Sequence, residues 1–209
     1  MLDRLSNADK HTLLHLARAS VAAAAGGQPT PERPREPQVL SPRLLVPGAV
    51  FVSLHTRRQR LRGCIGCLEA RNPLADAVIE NAYAAATRDP RFDPIRPEDV
   101  HDLDIEISVL GPLVRVEQVT DIEVGRDGVA VDLDGCRGIL LPQVPVQQGW
   151  DREEFLDNVC RKAELPADAW RRGASMQRFE ADVFSESALD EPRTGSRSSR
   201  RDPEFRFHD

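Results

Sequence analysis

Aromatic residues are scarce in this chain of 209 residues: they make up 5% of it, with one tyrosine and two tryptophans. Apolar residues account for 40% and charged residues for 30%, proportions typical of a globular protein rather than of a disordered or membrane-embedded one. The core must therefore consist mainly of aliphatic side chains. The length fits one domain that can close a hydrophobic core without a metal or a disulfide.

Long apolar runs are also missing. Residues 13–25 are interrupted by His15 and Arg18, and nowhere do the roughly 18 consecutive apolar residues occur that a membrane-spanning helix requires. Residues 1–10 lack the basic start of a signal peptide. We therefore expect a cytoplasmic protein that does not bind membranes.

The chain has no excess of positive charge; its formal net charge is -6. Nucleic-acid binding would need a local basic patch. Four arginines cluster at 57, 58, 60 and 62, but no aromatic residues alternate with them as single-strand binding requires. No phosphate-binding loop and no G-x-S-x-G motif occur. We therefore predict that the protein binds neither nucleic acid nor nucleotide.

Cysteine is rare, with four residues at 64, 67, 136 and 160. That number does not form the disulfide framework of a secreted protein, so reduced thiols are expected. Cys64 and Cys67 have C-x-x-C spacing, but no second pair completes a zinc site, and we predict no metal. Residues three apart in a regular strand lie about 10 Å apart on opposite faces, too far for a disulfide. A redox pair would require a turn at Gly66.

The order of predicted elements favours an α+β fold. We expect a domain over residues 8–186, with a lead-in at 1–7, a proline-rich loop at 26–38 and a disordered, arginine-rich tail at 187–209. The predicted helices are one capped by Ser6 and ending at Gly26, one capped by Asn72 and ending before Asp89, and one over Asp151–Ala163. The predicted strands are Ala49–Leu54 and Leu61–Leu68, which form a hairpin, Leu103–Leu110, Val129–Leu133, Gly138–Leu141 and Arg178–Phe184.

The segment from Leu61 to Gly66 is the candidate site. In a regular strand Arg62 and Cys64 lie on the same face, roughly 6.5 Å apart, where a guanidinium favours the nucleophilic thiolate. Glycines on either side of the sulfur, Gly63 and Gly66, permit a bulge or the close approach of a ligand. Most free cysteines are simply small buried residues, so a reactive thiol and a packing role both remain open.

Four more residues are candidates, each with a structural alternative. His55 is a base for Cys64 if strand pairing brings them together, and otherwise a solvated histidine of the hairpin. Arg91 either clamps an anionic ligand or pairs with a neighbouring aspartate. Glu106 and Ser108 share the polar face of a strand and either bind a ligand or face solvent.

The string LRGCIG resembles the signature of the AMMECR (AMME chromosomal region) domain family. The likeness continues through Asp89-Pro90-Arg91-Phe92, the strand Asp104–Leu110, Leu141–Val144, Gln148–Asp151 and Phe179–Ala181, and so covers roughly residues 8 to 186. Among prokaryotic proteins the chain resembles AmmeMemoRadiSam system protein A. The family usually has threonine after LRGCIG, where this chain has Cys67. A second thiol is thus not part of the pattern.

The resemblance implies an antiparallel β-sheet flanked by helices, with a smaller subdomain, and no established activity or cofactor. It implies association with a Memo-like protein and a radical S-adenosylmethionine protein. Two functions follow as hypotheses. One is an enzyme that uses Cys64 with Arg62 and His55. The other is a non-catalytic partner that binds a metabolite or a protein through Gly63, Gly66, Arg91, Glu106 and Ser108.

Overall fold

The computed structural model describes residues 4–34 and 40–190. The helices of this part are α1 (Asn7–Ala25), α2 (Leu74–Thr87), α3 (Gln143–Gln148), α4 (Arg152–Lys162) and α5 (Glu186–Asp190). The strands are β1 (Val50–Thr56), β2 (Leu61–Cys67), β3 (Leu103–Leu110), β4 (Val114–Arg115), β5 (Asp127–Leu133), β6 (Cys136–Leu140) and β7 (Ser175–Ser185). None of the described helices is long and apolar enough to cross a membrane.

The strands form one curled antiparallel sheet in the order β2-β1-β3-β7-β5-β6, and β4 also pairs with β7. The 11 residues of β7 allow it to pair with β3 near its end and with β4 and β5 near its beginning. Helices and an antiparallel sheet together make the α+β fold that the sequence predicted.

Two hydrophobic cores lie on this sheet, together with a small third cluster of Ala49, Leu110, Leu141 and Phe179. The larger one forms where α1 and α2 cover one face of β1 and β3, and the alternation in β3 buries Ile105 and Ile107 completely. The smaller one forms where α4 packs on β5 and β6 around Phe155 and Val159. This second core corresponds to the predicted smaller subdomain.

Two predicted helix starts have different outcomes. Ser6 caps α1 in a reciprocal pair with Asp9, as predicted. The prediction that Asn72 caps the second helix was wrong, because Pro73 occupies that position and α2 begins at Leu74. A residue before proline is held extended, and the Asn72 amide donates to Glu80 at 3.0 Å instead.

The ordered chain continues beyond residue 186, where the sequence placed the start of the tail. Helix α5 extends to Asp190, and the Ser187 backbone N–H donates to the Asp104 carboxylate at 3.0 Å. Residues 187–190 therefore belong to helix α5 and not to a disordered tail that begins at 187. The rest of the predicted tail, 191–209, and residues 1–3 and 35–39 lie outside the described residues.

Candidate functional site

The β1–β2 hairpin places Cys64 opposite Ser53. The Ser53 hydroxyl donates to the Cys64 sulfur at 3.2 Å. Because Val50, Val52 and Leu54 of β1 enter the larger core, the alternation of the strand sends Ser53 to the opposite face. We call this opposite face of β1, β2 and β3 the thiol face, and Cys64 is half-buried on it.

A carboxylate and a guanidinium hold the backbone of Cys64. Its N–H donates to Asp89 at 2.8 Å, and the Arg91 guanidinium donates to its carbonyl oxygen at 3.4 Å. Arg91 also donates to both oxygens of Asp89, at 2.9 and 2.7 Å. The loop after α2 thus binds β2, the edge strand of the sheet, at the cysteine.

This arrangement fixes the charge of Asp89, whose side chain is only 2% exposed. Burial alone would raise the pKa of this carboxyl, but the hydrogen bonds from Arg91 and from the Cys64 N–H outweigh burial and lower it. The bond to Asp89 raises the pKa of Arg91 against desolvation, with a smaller contribution from Cys64. Asp89 therefore stays ionised beside the thiol.

Lys162, at the end of α4, interacts electrostatically with the same group of residues. Lys162 is an exposed residue, and the protein near its amino group still lowers its pKa by desolvation. The charge of Cys64 opposes this effect, and those of Arg91 and Asp89 also act on the amino group.

The strand register extends the site across the sheet as a polar row. Ser53 pairs with Cys64 on one side and with Glu106 on the other. The Gln143 amide nitrogen donates to Glu106 at 2.9 Å and to Ser108 at 3.2 Å. Ser108 is only 1% exposed and Glu106 is half-buried, so this part of the polar face of β3 does not simply face solvent.

Arg62 and His55 are not hydrogen-bonded to Cys64. The register shifts between Leu54 and His55, and the pairing passes from Gly63 to Leu61, so that Arg62 lies at an irregularity of β2. In the described part of the chain Arg62 makes no side-chain hydrogen bond or ion pair. The guanidinium that contacts the cysteine belongs to Arg91, and the hydroxyl at its sulfur belongs to Ser53.

Both glycines of the motif have a packing reason. A Cβ atom on Gly63 would lie 2.1 Å from the Ala85 carbonyl oxygen of α2, and one on Gly66 would lie 2.3 Å from the Phe51 ring. A side chain on Gly63 would push β2 away from α2, and one on Gly66 would push it away from Phe51 of β1. These contacts explain the glycines without a ligand.

Cys64 and Cys67 are both free thiols in β2. The Cys67 thiol donates to the Glu69 carbonyl oxygen at 3.2 Å and not to Cys64. No group of three or more metal-ligating side chains is found among residues 4–34 and 40–190. The hairpin contains no turn at Gly66 of the kind a disulfide pair would need.

Sequence reasoning missed Ser53, Lys162 and Gln143 and treated Asp89 only as a partner for Arg91. The string Asp89-Pro90-Arg91-Phe92 was one available signal, because a carboxylate and a guanidinium two residues apart can form a single unit. Nothing in the local sequence indicates that Gln143 bonds to the thiol face or that the Lys162 amino group interacts with Cys64.

The fold and site define an α+β protein with a thiol held at a sheet edge. A model of the AMMECR1 family matches residues 14–184. A protein of Methanothermobacter thermautotrophicus is 43% identical over 190 residues, which cover 87% of this chain and 96% of the relative. Protein MK0488 of Methanopyrus kandleri is 40% identical over 202 residues, with 92% and 95% covered.

A solved structure has the same fold. The crystal structure of the uncharacterized protein PH0010 from Pyrococcus horikoshii has a TM-score of 0.79 and 38% sequence identity, and the match covers 86% of this chain and 92% of that one. The chain belongs to the AMMECR1 family, as the motif predicted. The name of this solved relative assigns it no reaction.

Proposed function

We propose that the protein is an enzyme in which Cys64 acts as a nucleophile and Lys162 moves its proton. The observation that supports this most is that the N–H, the carbonyl and the sulfur of one half-exposed cysteine each have a polar partner. Asp89 and Arg91 would also cover an edge strand in a purely structural role. A structural role does not need the hydroxyl at the sulfur.

In the proposed step, the Cys64 thiol gives its proton to the neutral Lys162 amine. The sulfur then forms a bond to an electrophilic carbon of the substrate, and the bond from that carbon to its leaving group breaks. The Lys162 ammonium returns the proton to the leaving group. A lowered lysine pKa suits this role because it raises the fraction of neutral amine near neutral pH.

The test is the rate at which iodoacetamide, a neutral reagent, alkylates Cys64 at pH 7, measured by peptide mass spectrometry. Cys67 and Cys136 are exposed thiols of the same chain and serve as internal standards. We expect Cys64 to react faster than both, although it is less exposed. A rate at or below that of Cys67 would argue against an activated thiol.

Lys162→Met should slow the alkylation of Cys64 several-fold and leave Cys67 unchanged. The matched control is Arg161→Met, which removes a cation from the adjacent position of α4, where Arg161 contacts Asn158 at 3.1 Å. An equal effect of both variants would show that only overall charge matters. It would remove Lys162 from the mechanism.

Association with a Memo-like protein and a radical S-adenosylmethionine protein is a further proposal, supported by the family resemblance alone. Copurification of the three proteins from one host would test it. A Cys64→Ser variant that still copurifies but has lost function in the pathway would separate binding from chemistry.

A further inference from the structure

Glu106 is a half-buried carboxylate on the thiol face without a cation. Its one side-chain hydrogen bond comes from the Gln143 amide. Among the described residues, no lysine, arginine or histidine lies within ion-pair distance of it. Removing a carboxylate from water is costly unless a positive charge or several donors replace the water. Glu106 therefore has acceptor capacity that the protein itself does not use.

Gln143 provides a second unused acceptor next to Glu106. Its nitrogen is the end that faces Glu106 and Ser108, because the reverse orientation would direct the amide oxygen at a carboxylate. The amide oxygen is then buried without any hydrogen-bond partner in the described part of the chain. A buried acceptor left unpaired in a native protein calls for a ligand or an ordered water.

The register sets the separation between these acceptors and the thiol. Cys64 and Glu106 are both direct partners of Ser53, on its two sides. Their Cα atoms are thus two strand spacings, about 10 Å, apart. A molecule lying along this row can reach the sulfur and Glu106 together only if several bonds separate its two ends.

We propose that the thiol face binds a primary ammonium group between the Glu106 carboxylate and the free oxygen of Gln143, and that this group belongs to the substrate of Cys64. An ammonium has three N–H donors and one positive charge. It would satisfy both unused acceptors and neutralise Glu106. The binding site stands on its own observations, whereas the link to a substrate rests on the proposed function of Cys64.

The test uses ω-aminoalkyl methanethiosulfonates with two to six carbon atoms and neutral alkyl reagents of matching length. Each reagent forms a disulfide with Cys64: the new bond joins the two sulfurs, methanesulfinate leaves, and the thiol proton passes to buffer. The mixed disulfides are then equilibrated with 2-mercaptoethanol. Mass spectrometry gives the fraction that remains on Cys64 and on Cys67.

At Cys64 the amino reagents should exceed the neutral ones by about tenfold at an intermediate length, the size expected of one hydrogen bond between charged groups. Shorter and longer reagents should show a smaller ratio, and Cys67 should show no optimum. A ratio that does not depend on length in the wild-type protein would overturn the proposal, whatever the variants do.

Glu106→Gln should abolish the optimum. The control is Asp104→Asn, which removes a carboxylate two positions away in β3, where Asp104 binds Ser187; it should keep the optimum. Equal losses in both would assign the preference to general charge and overturn the site. Slow reaction of Cys64 with iodoacetamide would contradict only the proposed enzyme, since the equilibrium ratio is measured independently of rate.

Discussion

Asp89 accepts a hydrogen bond of 2.8 Å from the backbone N–H of Cys64, although 25 residues separate them in the chain. In an edge strand such a donor has no strand partner, and exposed edges invite pairing with other chains. The carboxylate thus completes the sheet at the cysteine. Its charge ties the stability of the edge to pH.

Asp89→Asn should lower the free energy of unfolding at pH 7 by about 1–3 kcal/mol, the cost of weakening a buried, charge-assisted hydrogen bond. Because the folded pKa of Asp89 lies below its ordinary value of 3.8, the carboxylate stabilises the protein above that pH. The stabilisation is lost as the pH falls through the folded pKa. The difference between the two proteins should therefore be constant from pH 5 to 8 and shrink below about 3.8.

Urea denaturation followed by circular dichroism at pH 7 and at pH 3 measures both effects. Asp93→Asn is the control, since it removes an exposed carboxylate from the same loop. If the two variants lose the same stability at pH 7, the bond to Cys64 does not hold the edge.

The sequence predicted the parts of the fold that depend on local periodicity. Strand β3 has the predicted bounds, because Ile105 and Ile107 alternate with polar residues along one element. If the register at the turn, where His55 pairs with Leu61, continued along the hairpin, Cys64 would lie opposite Val52; the irregularity next to it places Cys64 opposite Ser53. Alternation alone does not reveal such an irregularity, so that contact could not be predicted.

The charged groups around the thiol were harder to find for a related reason. Asp89 follows the end of α2 and accepts a hydrogen bond from Cys64, and the Lys162 amino group at the end of α4 interacts electrostatically with Cys64, although both are far from it in the chain. Local sequence gives the type of each element but not where its end will lie. Arg91 was among the predicted residues because its guanidinium can clamp an anion or pair with a neighbouring aspartate.

Gly63→Ala should destabilise the protein by about 1–3 kcal/mol, the usual cost of overpacking. The added Cβ would lie 2.1 Å from the Ala85 carbonyl oxygen, which is backbone and cannot rotate away. Gly26→Ala is the control, because the nearest atom to its Cβ would be at 3.4 Å and its φ of -80° suits any residue. Thermal unfolding of both variants decides whether packing explains the glycine; a neutral Gly63→Ala would refute that explanation.

Cys160 should resist alkylation until the protein unfolds. It is 0% exposed, and burial raises the pKa of its thiol. Because the folded pKa is raised, the buried thiol stabilises the protein below the ordinary value of 9.0, and this stability is lost as the pH rises above it. Iodoacetamide labelling across a urea titration should modify Cys136 in the native protein and Cys160 only within the unfolding transition. Labelling of both cysteines without urea would contradict this burial.

Helix α5 should contribute to stability although the sequence placed the end of the domain at 186. The Glu186 carboxylate accepts hydrogen bonds from the Arg18 guanidinium at 2.9 Å and from the Ile105 backbone N–H at 3.0 Å. It thereby joins α1 to β3. Glu186→Ala leaves both donors without this partner, at a cost of about 1.5–3 kcal/mol for charged hydrogen bonds.

For a chain of this size each kcal/mol lowers the melting temperature by about 2–4 °C, so Glu186→Ala should melt several degrees below the unmodified protein. Ser187→Ala is the matched control, since it removes only the exposed hydroxyl bonds of the same helix, to Asp104 at 2.6 Å and to Ser185 at 3.1 Å. Its melting temperature should fall by less. Equal melting temperatures for Glu186→Ala and the unmodified protein would mean that the bonds of Glu186 add no stability. Arg18 would then be held by its bonds to the Val100 and Leu103 carbonyls alone.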